Sequence, residues 1–284
     1  MAKIIAVANQ KGGVGKTTTS VNLAACLAVA ERKTLVVDLD PQGNASVGLG
    51  LDKEIFTKAN IYHAMIGEEN MESCIYDTEL DCLKICPSDN NLIGAEVELM
   101  QAMARESKLK SALESINDDY DYIIIDCPPS LSLLTLNGLN AADTYIVPMQ
   151  TEYYAMEGLA QLLNTVKLIK QNLNPSLEIE GILLTMFDGR NNLSKLVAEE
   201  IKATFPTDTF KTIIPRNVKL SESPSHGKPI ITYDITSKGS ESYLNLAKEI
   251  ILRERDFVKK TEEDNLMYQL DNSQNMNSTD NYQI

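Results

Sequence analysis

The 284-residue sequence predicts an α/β chain, doubly wound, with a mostly parallel twisted sheet and helices on both faces. Three observations predict it. Apolar runs of strand length alternate with helical patterns along most of the chain, the order that parallel strands joined by crossover helices require. Two of those runs, Thr34-Leu-Val-Val-Asp38 and Tyr122-Ile-Ile-Ile-Asp126, end in aspartate, and open α/β sheets hold ligands beyond the carboxyl ends of their strands. The first run, Ile4-Ile-Ala-Val-Ala8, enters a glycine-rich stretch, Lys11-Gly-Gly-Val-Gly-Lys-Thr-Thr-Thr19, that opens onto a helical pattern, Val21-Asn-Leu-Ala-Ala-Cys-Leu27.

Strand, glycine-rich loop and helix together make a phosphate cradle. A triphosphate must be wrapped by backbone N–H groups, which side chains would hold at a distance. Gly12, Gly13 and Gly15, with Val14 between them, clear that approach and permit unusual dihedrals. The helix starting near Lys16 adds free N–H groups and a partial positive charge. Lys16 is placed to reach the β- and γ-phosphates, Thr17 to hold Mg²⁺ through its hydroxyl, and Thr18 to complete the loop. Lys11 departs from the general G-x-x-x-x-G-K-[ST] pattern, which has glycine there. A cation at the loop mouth makes sense if it neutralises phosphate charge across a dimer interface.

The remaining elements follow in order. A strand over 34–38 ends in Asp-Leu-Asp-Pro-Gln-Gly-Asn, and residues 48–80 carry only a short helical piece near Tyr62–Ile66. Leu83–Pro87 reads as a short strand, Glu96–Ile116 as a helix and Tyr122–Asp126 as a buried strand entering Cys-Pro-Pro-Ser130. Strands at Thr144–Met149 and Gly181–Met186 each precede a helix, Met156–Asn172 and Leu193–Phe205. Lys211–Pro215 leads into a long loop to Pro229, and a last helix runs from Lys238 to near Lys259. Residues 1–260 are expected to form one domain, and 261–284, with five acidic residues, five Asn and no Lys or Arg, a disordered tail.

Composition narrows the function classes. A net charge of −14 argues against a general nucleic-acid coat, although it leaves room for a local basic face. Cys26, Cys74, Cys82, Cys86 and Cys127 contain no C-x-x-C pair, so they read as reduced core thiols of a cytoplasmic protein. No stretch approaches the ~18 apolar residues of a membrane span.

The run KGGVGKTT resembles the deviant phosphate loop of the ParA/MinD family of ATPases, in which the first Lys is the signature lysine. With DLDPQGN, IIIDCPPS and IIPRNVKLSESPSHG, the resemblance covers about residues 1–255, and the last motif points to the chromosomal, Soj-like partition branch. It implies ATP and Mg²⁺ as cofactors. Asp40 orients the attacking water, Asp38 lies near the metal shell, and Asp126, the Walker B aspartate about 110 residues after the loop, holds Mg²⁺ directly or through water. Cys127–Ser130 is then the second switch, and Pro215 and Asn217 hold the adenine. No Gln stands in an evident water-positioning place and no Arg lies in the phosphate loop, so hydrolysis is expected to be slow and switch-like.

The resemblance further implies an ATP-dependent homodimer, non-specific DNA binding and a ParB-like centromere-binding protein that stimulates hydrolysis, with the protein on the nucleoid. Arg190 and Lys219 match the family's DNA-contacting places, with Arg216 and Lys195 as neighbours. Residues 188–240 hold eight Lys/Arg against six Asp/Glu, net +2 in an acidic chain. The N-terminal DNA-reading domain of larger plasmid forms is not expected. A MinD-like membrane-cycling ATPase would need a basic amphipathic C-terminal helix, and residues 246–260 carry mixed charges instead, so no membrane partner is expected. An electron carrier of the nitrogenase-reductase kind would need bridging cysteines, and Cys127 has no obvious partner.

Overall fold

The structure, a computed structural model, describes residues 1–52, 54 and 58–254. In chain order its elements are β1 (Lys3–Val7), α1 (Lys16–Val29), β2 (Thr34–Asp38), α2 (Asn44–Gly48), α3 (Ile61–Ile66), β3 (Tyr76–Asp77), β4 (Leu83–Cys86), α4 (Leu92–Leu99) and α5 (Lys108–Leu113). There follow β5 (Tyr122–Asp126), α6 (Leu133–Ala141), β6 (Thr144–Gln150), α7 (Ala155–Asn172), β7 (Glu178–Thr185), α8 (Asn192–Thr204), α9 (Val218–Glu222), α10 (Ile230–Tyr233) and α11, residues 238–254.

Seven strands form one sheet in the order β3-β4-β2-β5-β1-β6-β7, parallel throughout except for β3. Parallel strands covered on both faces have no solvent side, which is why β2 and β5 are buried along their whole length. Alternate residues of each strand feed two cores. Ile5, Val36 and Ile124 pack with Leu23, Leu27, Leu246 and Ile250 on one face, while Ile4, Val37 and Ile123 pack with Leu109, Leu139 and Leu159 on the other. Each such aliphatic side chain contributes roughly 1.5–3 kcal/mol of burial.

Tight packing at β7 gives a direct test. A Cβ added at Gly181 would lie 2.5–2.8 Å from three ring carbons of buried Phe210, whose ring also carries Arg253 at 4.3 Å. Gly181→Ala is expected to destabilise the chain by about 1–3 kcal/mol in urea unfolding, with an unchanged denaturant slope.

Four stretches differ from the sequence expectation. The helix expected over 96–116 is two helices, α4 and α5, separated by a turn in which Ala104 adopts a left-handed φ of 50°. Asn137 on α6 causes the break: it donates to the Arg105 carbonyl and accepts from the Leu109 amide, so a tertiary contact overrides local propensity. The loop expected up to Pro229 contains α9 and a 3₁₀ turn at Ser223–His226. The strand that the apolar pair Ile213-Ile214 suggests before that loop is not regular, and Lys211–Pro215 makes only a parallel bridge of Pro215 to Phe187 at its end. The helix α6, buried on almost every side, lacks the amphipathic period that would announce it. The expected tail lies outside the described residues.

Candidate functional site

The site sits where β1, β2 and β5 end together. Register places Asp38 opposite Asp126, and Asp126 opposite Val7, so the carboxyl ends of the three strands converge on the glycine-rich loop. Gly13 (φ 73°) and Gly15 (φ 90°) hold left-handed conformations that side chains resist, and Gly15 leads into α1. The loop is pinned from the strands beside it. Thr185 Oγ1 donates to the Val14 carbonyl (2.8 Å), Gln150 Nε2 to the Gly13 carbonyl (3.1 Å), and Asn9 Oδ1 accepts from the Lys11 amide (3.0 Å). Gln150 also donates to the sulfur of Met186, itself held at a left-handed φ of 49°.

Lys16 and Lys11 take different directions. Lys16 is buried and its Nζ curls over the loop to donate to the Lys11 carbonyl at 3.1 Å. Burial lowers its pKa, while Asp126, Cys127 and Asp40 favour the charged form. Lys11 points away from the cradle, half exposed, onto Glu152 Oε2 at 2.6 Å.

The carboxylates divide their work. Asp38, fully buried, accepts from the Ser46 amide (2.8 Å), the Ser46 hydroxyl (2.7 Å) and the Asp40 amide (3.2 Å), and Ser46 Oγ accepts from the Ser88 amide. Both its oxygens therefore hold the Asp40–Asn44 turn, a positioning task the sequence reading did not assign to it. Gly43 closes that turn at φ 64°, where a Cβ would meet the Ser88 carbonyl at 2.6 Å. Asp40, also buried, accepts the Gln42 amide and lies close enough to Lys16 and Asp126 to act on both electrostatically. Asp126 Oδ1 accepts from Ser20, while its buried Oδ2 has no hydrogen-bond partner.

Burial is the leading cause that holds the Asp38 and Asp126 carboxyls above the ordinary carboxylate range, and repulsion from neighbouring carboxylates adds to it. A group with a raised folded-state pKa stabilises the fold while protonated and loses that contribution as pH rises through the folded value. The ligand-free chain is therefore expected to lose stability progressively from about pH 4, the unfolded carboxylate value, through the folded values of about 6 for Asp126 and about 8 for Asp38. Urea titrations at several pH values check this; Asp126→Asn flattens the slope.

A bare buried carboxylate oxygen beside the Thr17 hydroxyl, a buried ammonium and a glycine cradle form a donor set that fits a Mg²⁺-bound phosphate chain. Beyond the loop, a cavity of about 300 Å³ is lined by Gly15, Thr18, Met186, Pro215, Asn217 and Tyr243 among others, a volume suited to a nucleoside. Asn217 Oδ1 caps α9 by accepting from Lys219 and Leu220 amides, which fixes the amide flip and leaves its Nδ2 as a donor.

The expected DNA-contacting residues are all exposed. The Phe187–Pro215 bridge sets the Asp188–Arg190 loop beside Arg216, and Arg216 adds to the pull that lowers Asp188. Arg190 forks onto Asp188 at 2.9 and 3.0 Å, which brings that carboxyl down to about 2. Lys219 pairs with Glu222 at 2.8 Å. Lys195 stands on α8. Ser20, Ser46, Ser88, Gln150 and Thr185 were not foreseen; each acts through a partner distant in sequence, so no local motif marks it.

The comparisons with known proteins agree with this geometry. A family model described as an AAA domain matches residues 2–179. The chain is 55% identical over 254 residues to the chromosome partitioning protein ParA of Myxococcus xanthus, covering 89% of each chain. It is 55% identical over 250 residues to the sporulation initiation inhibitor protein Soj of Bacillus subtilis, covering 88% of this chain and 98% of that one. A solved Mycobacterium smegmatis protein, described as cobyrinic acid a,c-diamide synthase with bound ATP analogue and magnesium, superposes with a TM-score of 0.76 at 35% identity, covering 87% and 93%. With a pinned glycine loop, paired strand-end aspartates and relatives of this closeness, the chain belongs to the ParA/Soj family of chromosome-partitioning ATPases.

Proposed function

We propose that this chain is a DNA-segregation switch in which ATP closes two copies face to face. The observation that carries the reading is the split between the two loop lysines: Lys16 lies over its own cradle, whereas Lys11 is turned outward and held only by a half-exposed ion pair. An outward cation at the loop mouth serves a second copy's phosphates better than its own.

In this reading Lys16 clamps the β- and γ-phosphates, Thr17 and Asp126 hold Mg²⁺, and Pro215 with Asn217 seats the adenine. The metal, when bound, draws charge from the phosphates being parted. Asp40 orients a water, and Asp38 keeps Asp40 in place through the turn it anchors. Hydrolysis is slow, because each site takes its second cation from the other copy and no further one is built in. A ParB-like centromere-binding protein raises the rate and resets the dimer.

Non-specific DNA binding uses Arg190, Lys195, Arg216 and Lys219. Asp188 and Glu222 neutralise two of these within the chain, so a single copy binds weakly and the dimer doubles the patch. No helix among the described residues is long and apolar enough to cross a membrane. The proposed seat is the nucleoid.

The test is binding to random-sequence duplex DNA with ATP, ADP or no nucleotide over a salt series. Binding only with ATP, falling roughly as the fifth power of salt for six neutralised phosphates, is expected, with loss in Arg190→Glu. Absence of binding in every state, with capture by lipid vesicles instead, would overturn the reading in favour of membrane cycling.

A further inference from the structure

Four large apolar side chains stand in solvent along α4 and the turn after it: Ile93 (54% exposed), Val97 (66%), Met100 (61%) and Met103 (91%). The first three follow helical spacing on one face, opposite the buried Leu92, Ala95 and Leu99. The following turn is fixed: Arg105 donates to the Met100 carbonyl at 3.1 Å, and Asn137 grips the Arg105 carbonyl at 2.9 Å. A contiguous apolar stripe on a held surface, unlike singly scattered apolar residues, marks an interaction site.

Charge decides what fits it. Glu96 has a buried carboxylate oxygen with no hydrogen-bond partner, and Glu98 is exposed with only the Tyr62 hydroxyl on it. A second copy laid on the stripe would bring these carboxylates near their equivalents, in a chain of net charge −14. A cationic partner meets only Arg105 at the end of the stripe, and Glu106 already pairs with that guanidinium at 2.8 Å.

We infer that α4 is a docking surface for a short amphipathic helix of another protein, with apolar residues on one face and Lys or Arg on its flanks. Its apolar face covers Val97 and Met100, and a flanking cation pairs with the exposed Glu98 carboxylate beside them. This surface does not depend on the proposed function. It does touch the site's machinery: Asn137, which holds the turn, belongs to the helix that follows the Cys127–Ser130 loop.

The experiment uses the full chain and a short synthetic helix with Leu at i, i+4 and i+7 flanked by Lys, against a scrambled peptide of equal composition. Fluorescence anisotropy is expected to show binding of the patterned peptide alone, with amide-exchange protection at residues 92–104. Val97→Lys with Met100→Lys, exposed positions that leave the core intact, weakens binding roughly tenfold or more. Glu98→Gln weakens it less and reduces its salt dependence. Equal binding of the scrambled peptide, or no protection at 92–104, overturns the proposal. So does a change of sedimentation in the double variant without peptide, which would assign the stripe to a second copy.

Discussion

Lys16→Ala is expected to weaken Mg²⁺-ATP binding by about a hundredfold and to lower hydrolysis on the order of a thousandfold, the scale set by losing a charge-stabilising donor in an enclosed site. Lys16 is the only ammonium that the loop folds over itself, and its Nζ rests on a neutral carbonyl, a partner that a phosphate oxygen replaces readily. Burial lowers its pKa, and Asp126, Cys127 and Asp40 oppose that shift. Titration calorimetry and phosphate release measure the two losses, with circular dichroism to show that the fold survives. Binding within threefold of the parent would mean that the phosphates lie elsewhere.

Asp40→Asn separates the steps instead. The amide keeps an oxygen for the Gln42 N–H, so the turn stays closed, and nucleotide affinity is expected to change by less than about threefold. Hydrolysis is expected to fall by roughly 10²–10⁴, because a neutral group no longer orients or accepts from the attacking water. The variant then accumulates in its ATP-bound form. A parallel loss of affinity and turnover would place Asp40 in the binding shell rather than at the water.

The phosphate loop was legible because its chemistry is local: glycines that must be glycine, a lysine and threonines at fixed offsets, between a strand and a helix. The strand-end aspartates were legible for the same reason. What pins them was not. Asp38 is engaged by Ser46, which in turn holds Ser88, forty-two residues farther on. Gln150 and Thr185 reach the loop from β6 and β7 across more than 130 residues. Such pairs exist only once the sheet has assembled its order. The α4–α5 break had the same origin in Asn137, and α6 escaped notice because a helix buried all round has no polar face to set its period.

The run Pro215-Arg-Asn-Val-Lys219 lines the cavity beyond the phosphate loop at one end and finishes in the exposed Lys219 at the other. Under the proposed function, one unbroken pentapeptide serves two traits with opposed demands. Selection for looser DNA contact acts on the same backbone that seats the base, and an insertion between Asn217 and Lys219 would uncap α9 as it shifts both. Divergence among lineages should therefore collect in the side chains of Arg216, Val218 and Lys219, while the spacing of the five stays frozen.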